Sequence, residues 1–388
     1  MSSIDELIER LCPDGVKFAR VDELFDIRGG YTPSRSNAQY WSDGTIPWFR
    51  MEDIREYGRV LAQASQHVNE SALKSSGLMP KGSIIIATSA TIGEHAILGV
   101  SGLCNQRFTC LTKKPAFSER LDDKFLFYYC FALDEFCKKN LTQGSFASVS
   151  MPAFKSFKFP IPPMEIQKEI VQILDSFTEL EAELEAELDN RIEQYRYFRN
   201  RLLNSDSSLS VCNYKLDEVV SINKGTYITK REVSPGNIPV VLGGTEPAYW
   251  HAEANHLGEG IVVSRSGVNA GFVSYWNEPI FVSDGFVLDS KPEVSLRYIY
   301  HALKNKQDKL HAMKRGSGVP HIQRKALSEF VISIPPLEEQ RRISSILDKF
   351  DTLVNDLSSG IPAEIEARRK QYEYYRDKLL TFKEKPGD

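Results

Sequence analysis

A twenty-residue segment occurs twice in this chain of 388 residues, and that repeat limits what the chain can fold into. Residues 161–180 and 334–353 share Ile161/Ile334, Pro162/Pro335, Pro163/Pro336, Glu165/Glu338, Gln167/Gln340, Ile170/Ile343, Ile173/Ile346, Leu174/Leu347, Asp175/Asp348, Phe177/Phe350 and Leu180/Leu353, all at one offset of 173 residues. A repeat of this period predicts two copies of one unit, each a globular domain followed by a long helix. The question becomes what needs two similar modules in one chain.

After Pro163 the apolar positions Ile166, Ile170, Ile173, Phe177, Leu180, Leu184, Leu188, Ile192, Tyr195, Phe198 and Leu202 recur at steps of mostly three and four. This spacing predicts one helix with a single apolar seam, roughly 40 residues and about 60 Å long. Such a helix cannot cover its seam alone. The second copy offers a matching seam through Ile343, Ile346, Phe350, Leu353, Leu357, Ile361, Ile365, Tyr372, Tyr375 and Leu379. The ends also match, Tyr195 with Tyr372, at an offset of 177, so the second helix carries four extra residues. They fall at 358–362, where Gly360 and Pro362 spell a stop and a restart with the proline in a first turn. A homodimeric coiled coil is the plain alternative; two equal helices separated by a globular domain favour an antiparallel pair within the chain.

The globular domains correspond more loosely, through 21–27 with 216–222, Ile46-Pro47 with Ile238-Pro239, and 81–86 with 258–263. Each mixes short β-branched runs with Gly and Asn turns and then one helix, expected at 122–139 and 295–314. The fold class is therefore α+β: two β-rich globular domains separated and followed by long helices that form an antiparallel coiled coil, with a pseudo-twofold repeat. The expected boundaries are 1–159, 160–205, 206–332 and 333–388, with a linker at 204–210. The helices are alike and the globular domains differ. Like surfaces suit two copies of one partner; unlike surfaces suit two different targets.

The net charge of −4 argues at first against a nucleic-acid partner. The distribution softens this, because 160–205 carries 5 basic and 10 acidic side chains and leaves the globular domains near neutral. DNA affinity depends on local charge. The amphipathic, acidic start is not a secretory signal, and no apolar run approaches a membrane span. Six cysteines without a C-x-x-C pair fit reduced, mostly buried thiols in a cytoplasmic protein.

Catalytic signatures are missing. There is no P-loop, no G-x-G-x-x-G after a strand, and no Asn-Pro-Pro-aromatic or Asp-Pro-Pro-Tyr motif that holds a target base in amino-methyltransferases. Asp122-Asp123-Lys124 reads as the first turn of a helix and not as a nuclease centre. His251 and His256, with no Cys nearby, read as turn or solvent-exposed histidines and not as metal ligands.

Together these residues resemble the specificity subunit of type I restriction-modification systems. The carriers are the opening 4–16, Gly29-Gly30-Tyr31-Thr32-Pro33-Ser34 with Ile46-Pro47-Trp48, Ala90-Thr91-Ile92-Gly93 with Asn105-Gln106, the twin I-P-P-x-E-x-Q helices, and the ending 368–380. The second half departs at Ser264-Arg265-Ser266-Gly267 and Ser283-Asp284-Gly285. The resemblance implies a chain that performs no chemistry. Each globular domain would read one half of a bipartite, asymmetric double-stranded DNA site. The helices would set the half-site spacing and dock two adenine-N6 methyltransferase subunits, and restriction/translocase subunits would join that core. S-adenosylmethionine would sit on the methyltransferase partner, ATP and Mg on the restriction partner, and no cofactor, metal or membrane contact belongs to this chain. The rival readings are a self-sufficient endonuclease with an unrecognised metal centre and a scaffold that does not bind DNA.

Polar side chains beside glycines in predicted loops give the candidate DNA contacts. They are Arg35, Arg50, Arg107, Gln143 and Ser145 in the first domain, and Lys230, Arg231, Arg265, Lys314, Arg315, Ser317 and His321 in the second. Glu165, Gln167 and Tyr195, with their counterparts Glu338, Gln340 and Tyr372, are the candidate partner-docking residues on the helices.

Overall fold

A computed structural model describes residues 3–142, 147–204, 211–244, 246–316, 318–356 and 358–386. The expected linker, apart from Asn204, lies outside the described residues. The chain forms two compact units, one of residues 1–182 with 367–388 and one of 183–366. No helix among the described residues is long and apolar enough to cross a membrane.

In the first unit, the run Ile84–Ala87 is buried on both faces. Successive side chains of a strand point to opposite sides, so Ile84 and Ile86 join the cluster around Phe125 while Ile85 joins the one around Phe49 and Met51. That strand is central in a five-stranded sheet ordered Phe25–Gly29, Phe108–Lys113, Ile84–Ala87, His95–Leu98, Val60–Leu61. A three-stranded sheet, ordered His67–Val68, Ile46–Phe49, Leu103–Cys104, lies beside it in the sequence. Helix Asp123–Lys139 contributes its buried face, Phe125 to Cys137, to the first cluster.

The second unit repeats the plan, and among its described residues no strand corresponds to the edge strand Val60–Leu61. Its four-stranded sheet runs Val220–Lys224, Gly285–Ser290, Gly260–Ser264, Val273–Trp276, and its three-stranded sheet Tyr249–His251, Ile238–Val241, Phe281–Val282. Ile261 and Val263 face one core and Val262 the other. The helix expected at 295–314 is divided at Lys306 into Leu296–Asn305 and Gln307–Ala312. Lys306 departs from helical geometry at the division, and the Gln307 amide just after it accepts from Val273 N at 3.1 Å and donates to the Gly271 carbonyl, which ties this turn to the sheet.

In each unit an antiparallel pair of strands leads into the repeated Pro-Pro. Lys17 faces Ile161, and Cys212 faces Ile334. The long helix Met164–Leu203 has 40 residues and contains neither Gly nor Pro. The second copy is two helices, Leu337–Asn355 and Ile361–Leu379. Asp356 accepts from Ser358 N at 2.7 Å and from the Ser359 hydroxyl at 2.5 Å, which forms the stop. Those bonds hold its carboxyl down at about 2. Gly360 is required at the restart, because a Cβ there would sit 2.5 Å from the Thr352 carbonyl oxygen.

Within each unit the helices pair antiparallel, as the seam predicts. In the first, Phe177 meets Tyr375 at 5.6 Å and Tyr372 at 6.3 Å, while Glu181 four residues on meets the earlier Arg369 at 2.6 Å. In the second, Tyr195 and Phe198 stack on Phe350 at 6.1 and 5.5 Å. Such aromatic pairs add about 0.5–1.5 kcal/mol each beyond burial.

Candidate nucleic-acid interface and the helix brackets that carry it

The repeated residues explain themselves once their partners are followed. Gln167 is fully buried. Its amide oxygen accepts from Asp122 N at 2.8 Å, and its amide nitrogen donates to the carbonyls of Arg120 and Pro162 at 2.8 and 2.7 Å. Gln340 accepts from Ser295 N at 2.8 Å and donates to the Pro335 carbonyl at 2.8 Å. Each glutamine therefore grips the N-cap of the globular domain's helix, where backbone groups have no intrahelical partner. Two turns further on, Asp175 accepts from Lys124 Nζ at 2.6 Å and Tyr128 Oη at 2.7 Å. Asp348 does the same for Arg297 Nε and His301 Nε2, both at 2.6 Å. Asp122/Ser295, Lys124/Arg297 and Tyr128/His301 stand at the same offset of 173 as the repeat. The side chains changed and the bracket stayed.

Burial raises the Tyr128 hydroxyl, and the Asp175 carboxylate beside it raises it further. Burial works against ionisation of Asp348, yet the bonds from His301 and Arg297 hold its carboxyl below its ordinary value.

In the first globular domain a pair of candidate arginines converges on one aromatic pair. The Arg35 guanidinium lies 3.7 Å from the Trp41 ring centre and 5.3 Å from that of Trp48, and it donates to Gln66 at 2.9 Å. Arg50 approaches Trp48 at 6.0 Å and donates to the Ser65 hydroxyl at 2.8 Å. The indoles meet edge-on at 5.0 Å and are pinned by bonds from Trp41 Nε1 to the Ser34 carbonyl and from Trp48 Nε1 to the Tyr31 carbonyl, at 3.1 and 2.9 Å. A guanidinium held on an indole has little freedom left to lose on binding; Arg35 is exposed, whereas Arg50 is half-buried with its Nε 3.9 Å from the carboxylates of Glu52 and Asp53. Arg107 is exposed on the turn Asn105–Phe108, where its N–H donates to Asn105 Oδ1 at 3.0 Å. Gln143 and Ser145 lie outside the described residues.

In the second globular domain a cleft of about 550 Å³ is lined by Tyr227, Lys230, Gly243, Ser266, Val268 and Asp284, among others. Arg231 follows Lys230 and is exposed. Arg265 donates to Asp284 at 2.8 Å, and the Ser266 hydroxyl also bonds Asp284. Lys314 Nζ donates to the Val268 carbonyl at 2.6 Å. Arg315 and His321 exchange backbone bonds at 3.0 and 2.9 Å, and His321 bridges to Ser266. Arg265, Lys314, Arg315 and His321 thus gather around one hairpin loop, with Lys230 and Arg231 standing beside the cleft. Ser317 lies outside the described residues.

The family described as the type I restriction modification DNA specificity domain matches residues 13–194 and again 211–367. The chain belongs to this family. A type I restriction enzyme EcoprrI specificity subunit of Escherichia coli is 38% identical over 92% of this chain and 93% of its own length. A putative type I restriction enzyme specificity subunit of Haemophilus influenzae is 32% identical over 95% and 96%. Among solved structures, the type I restriction-modification S subunit of M. genitalium aligns with a TM-score of 0.59 at 17% identity, covering 94% of this chain and 96% of that one. A chain solved in work on complex assembly and conformational transition of the type I R-M system aligns at 0.67 and 16%, covering 95% and 98%. These specificity subunits are the non-catalytic component of the restriction-modification complex, and so is this chain.

Several expectations for this specificity subunit need correction. Gln167 and Gln340, expected to dock partners, are buried and hydrogen-bonded inside their own units. Tyr195 is also buried, in the stack on Phe350, and burial raises its hydroxyl. Tyr372 is half-buried against Phe177, and burial pushes its hydroxyl up to about 12. Glu165 and Glu338 are exposed. His251 is not a turn histidine: it is buried in a strand, edge-on to Phe281 at 5.1 Å, and its Nδ1 accepts from Ser234 N at 3.0 Å. The reading of Asp122-Asp123-Lys124 as a helix start holds: Asp122 caps the helix through Lys124 N and Phe125 N. Among the described residues no group of three or more His, Cys, Asp or Glu could hold a metal ion.

The sequence pattern gives no sign of a buried pair, His95 Nδ1 with Asp134 Oδ2 at 2.5 Å, set among Phe127, Phe131 and Arg59. Burial lowers the imidazole and raises the carboxyl. No local motif announces it, because the partners lie 39 residues apart.

Proposed function

We propose that this specificity subunit reads a bipartite, asymmetric double-stranded DNA site, with the globular domain in 1–159 on one half and that in 206–332 on the other. The helical segments 160–205 and 333–388 set the spacing between the halves and dock two adenine-N6 methyltransferase subunits, and restriction/translocase subunits join that core in the cytoplasm. The observation that carries this reading is the bracket. One set of backbone and side-chain bonds, repeated at a single offset, ties each long helix to its globular domain, and the two domains so held carry surfaces of different chemistry: an arginine–indole cluster in one unit and a basic hairpin beside a cleft in the other. Equal holders with unequal faces suit a chain that presents two different readers in the same way.

With the glutamines and Tyr195 engaged internally, shared positions open to partners include Glu165/Glu338, Tyr197/Tyr374 (58% and 64% exposed), and Leu180 (39%) with Leu353 (37%), two leucines expected in the seam. On an α-helix residues fifteen apart lie about 22 Å apart along the axis and roughly 60° apart around it. Each unit therefore offers its own acid-and-leucine face, a pattern suited to two copies of one partner.

Genome-wide mapping of N6-methyladenine with and without this chain tests the reading. Methylation should appear at one split motif only when the chain is present, and its absence there would sink the proposal. Inserting four residues within 182–190 lengthens the helix by ~6 Å, close to two base-pair steps of about 3.4 Å each. The gap in the motif should grow while both half-sites keep their letters; altered letters at an unaltered gap would contradict the ruler role.

A further inference from the structure

Val268 is 88% exposed, the most exposed large apolar side chain among the described residues, and Val319 is 68% exposed. Neither supports a core. Both sit on loop tips that the backbone ties together. Gly267 N donates to the Pro320 carbonyl at 2.9 Å, Ser266 bridges to His321, and Lys314 Nζ holds the Val268 carbonyl at 2.6 Å. The two apolar tips are thus fixed side by side and ringed by cations: Arg265 and Lys314 on the same loops, Arg315 exposed beside them, and Lys230 on the cleft that Val268 also lines. The acidic groups nearby are Asp284, engaged by Arg265 and Ser266, and Glu246 on the cleft wall.

An apolar tip inside a basic ring fits a polyanion that carries one apolar feature. Duplex DNA has such a feature in the thymine 5-methyl group, which stands in the major groove and distinguishes thymine from every other base edge there. Valine suits it, since its two methyls are stiff at χ1 and lose little entropy on contact. We propose that Val268 and Val319 read thymine in the half-site of the second globular domain by packing on 5-methyl groups, while Lys314 and Arg315 hold the flanking phosphates. This rests on the reading that the second domain binds DNA, and it adds which chemical group it reads.

The test uses the full chain, co-expressed with methyltransferase subunits, and a random-sequence duplex pool. The sequence enriched from the pool is then resynthesised with deoxyuridine for thymine, one position at a time. Uracil keeps every hydrogen-bonding group and lacks only the methyl. Burying one methyl is worth about 0.8 kcal/mol, so each contacted thymine should lose about fourfold in affinity on replacement. V268A with V319A should bind the thymine and uracil duplexes alike, and V268T, which keeps one methyl, should retain some of the preference. At these exposures the substitutions leave the fold intact, and a thermal melt checks that. Enrichment of no sequence would overturn both this proposal and DNA reading itself. A split sequence whose second half contains no thymine would overturn the proposal alone. So would unchanged affinity on replacement by uracil, or a full thymine preference in the double variant.

Discussion

Replacing Gln167 by alanine should separate a bracket from a docking surface. The amide satisfies three backbone groups, Asp122 N and the carbonyls of Arg120 and Pro162, all within 2.8 Å. Truncation would leave them without their partner at a buried site, each at about 1–3 kcal/mol, and water entering the vacated space would recover some of that. The expected loss is about 4 kcal/mol for Q167A and about 3 for Q340A, whose amide makes two such bonds. Q167E keeps the shape and can still accept from Asp122 N, but its carboxylate would face two carbonyl oxygens. At neutral pH it should be at least as damaging as alanine, with partial recovery on acidification. Urea unfolding gives the size of each loss. Hydrogen exchange over 120–130 and 293–303 shows which unit opened. E165A, at an exposed position of the same helix, serves as the control and should lie within about 0.5 kcal/mol of the parent. The reasoning fails if Q167A costs no more than E165A, or if it opens 293–303 as much as 120–130.

Two further outcomes are expected. Asp348 has a folded-state pKa below its ordinary value of 3.8, so its contribution is present above that pH and is lost as pH falls through the depressed value. Exchange protection of Leu296–Asn305 should weaken in that acid range, and D348N should flatten the dependence; an equal slope in D348N would exclude this carboxylate as the cause. R35A should weaken binding to the first half-site by about tenfold, the order expected for a well-placed guanidinium on a base edge, and leave the second untouched. Competition binding with duplexes scrambled in one half at a time reads this directly, and an equal loss on both halves would place Arg35 on phosphates instead.

Much of the architecture was legible because the seam is regular. A 40-residue stretch with neither Gly nor Pro leaves the helix no place to stop, and Gly360-Pro362 marks the one interruption in its counterpart. The inward destination of Gln167 is legible too, from its place on the helix. It lies three and seven residues before Ile170 and Leu174, both fully buried, and so belongs to the inward stripe. A polar residue on such a stripe is there to satisfy buried backbone groups. The bracket partners Lys124 and Tyr128 carried the repeat offset, but their types differ from Arg297 and His301, and identity matching passes over them. The arginine–indole cluster was only half visible. Arg35 and Arg50 stand out in the sequence by their loops, while Trp41 joins them through a turn held by Ser34. His95 with Asp134 depends on a strand meeting a helix, which no spacing encodes.

The first unit is discontinuous in sequence, and this shapes how the protein is made. Residues 367–388 supply Leu379 and Leu380 to the core around Phe125, whereas the second unit is one unbroken stretch. At roughly 5–20 residues per second of synthesis, the 184 residues between the two pieces delay the closing segment by on the order of 10–40 s. The stretch of chain translated first is therefore the one completed last. It waits with an apolar face open while its neighbour already has every residue it needs. A nascent chain of this kind should call on holdase chaperones through its first half, and truncations that spare all of 1–366 should still leave that half unfinished.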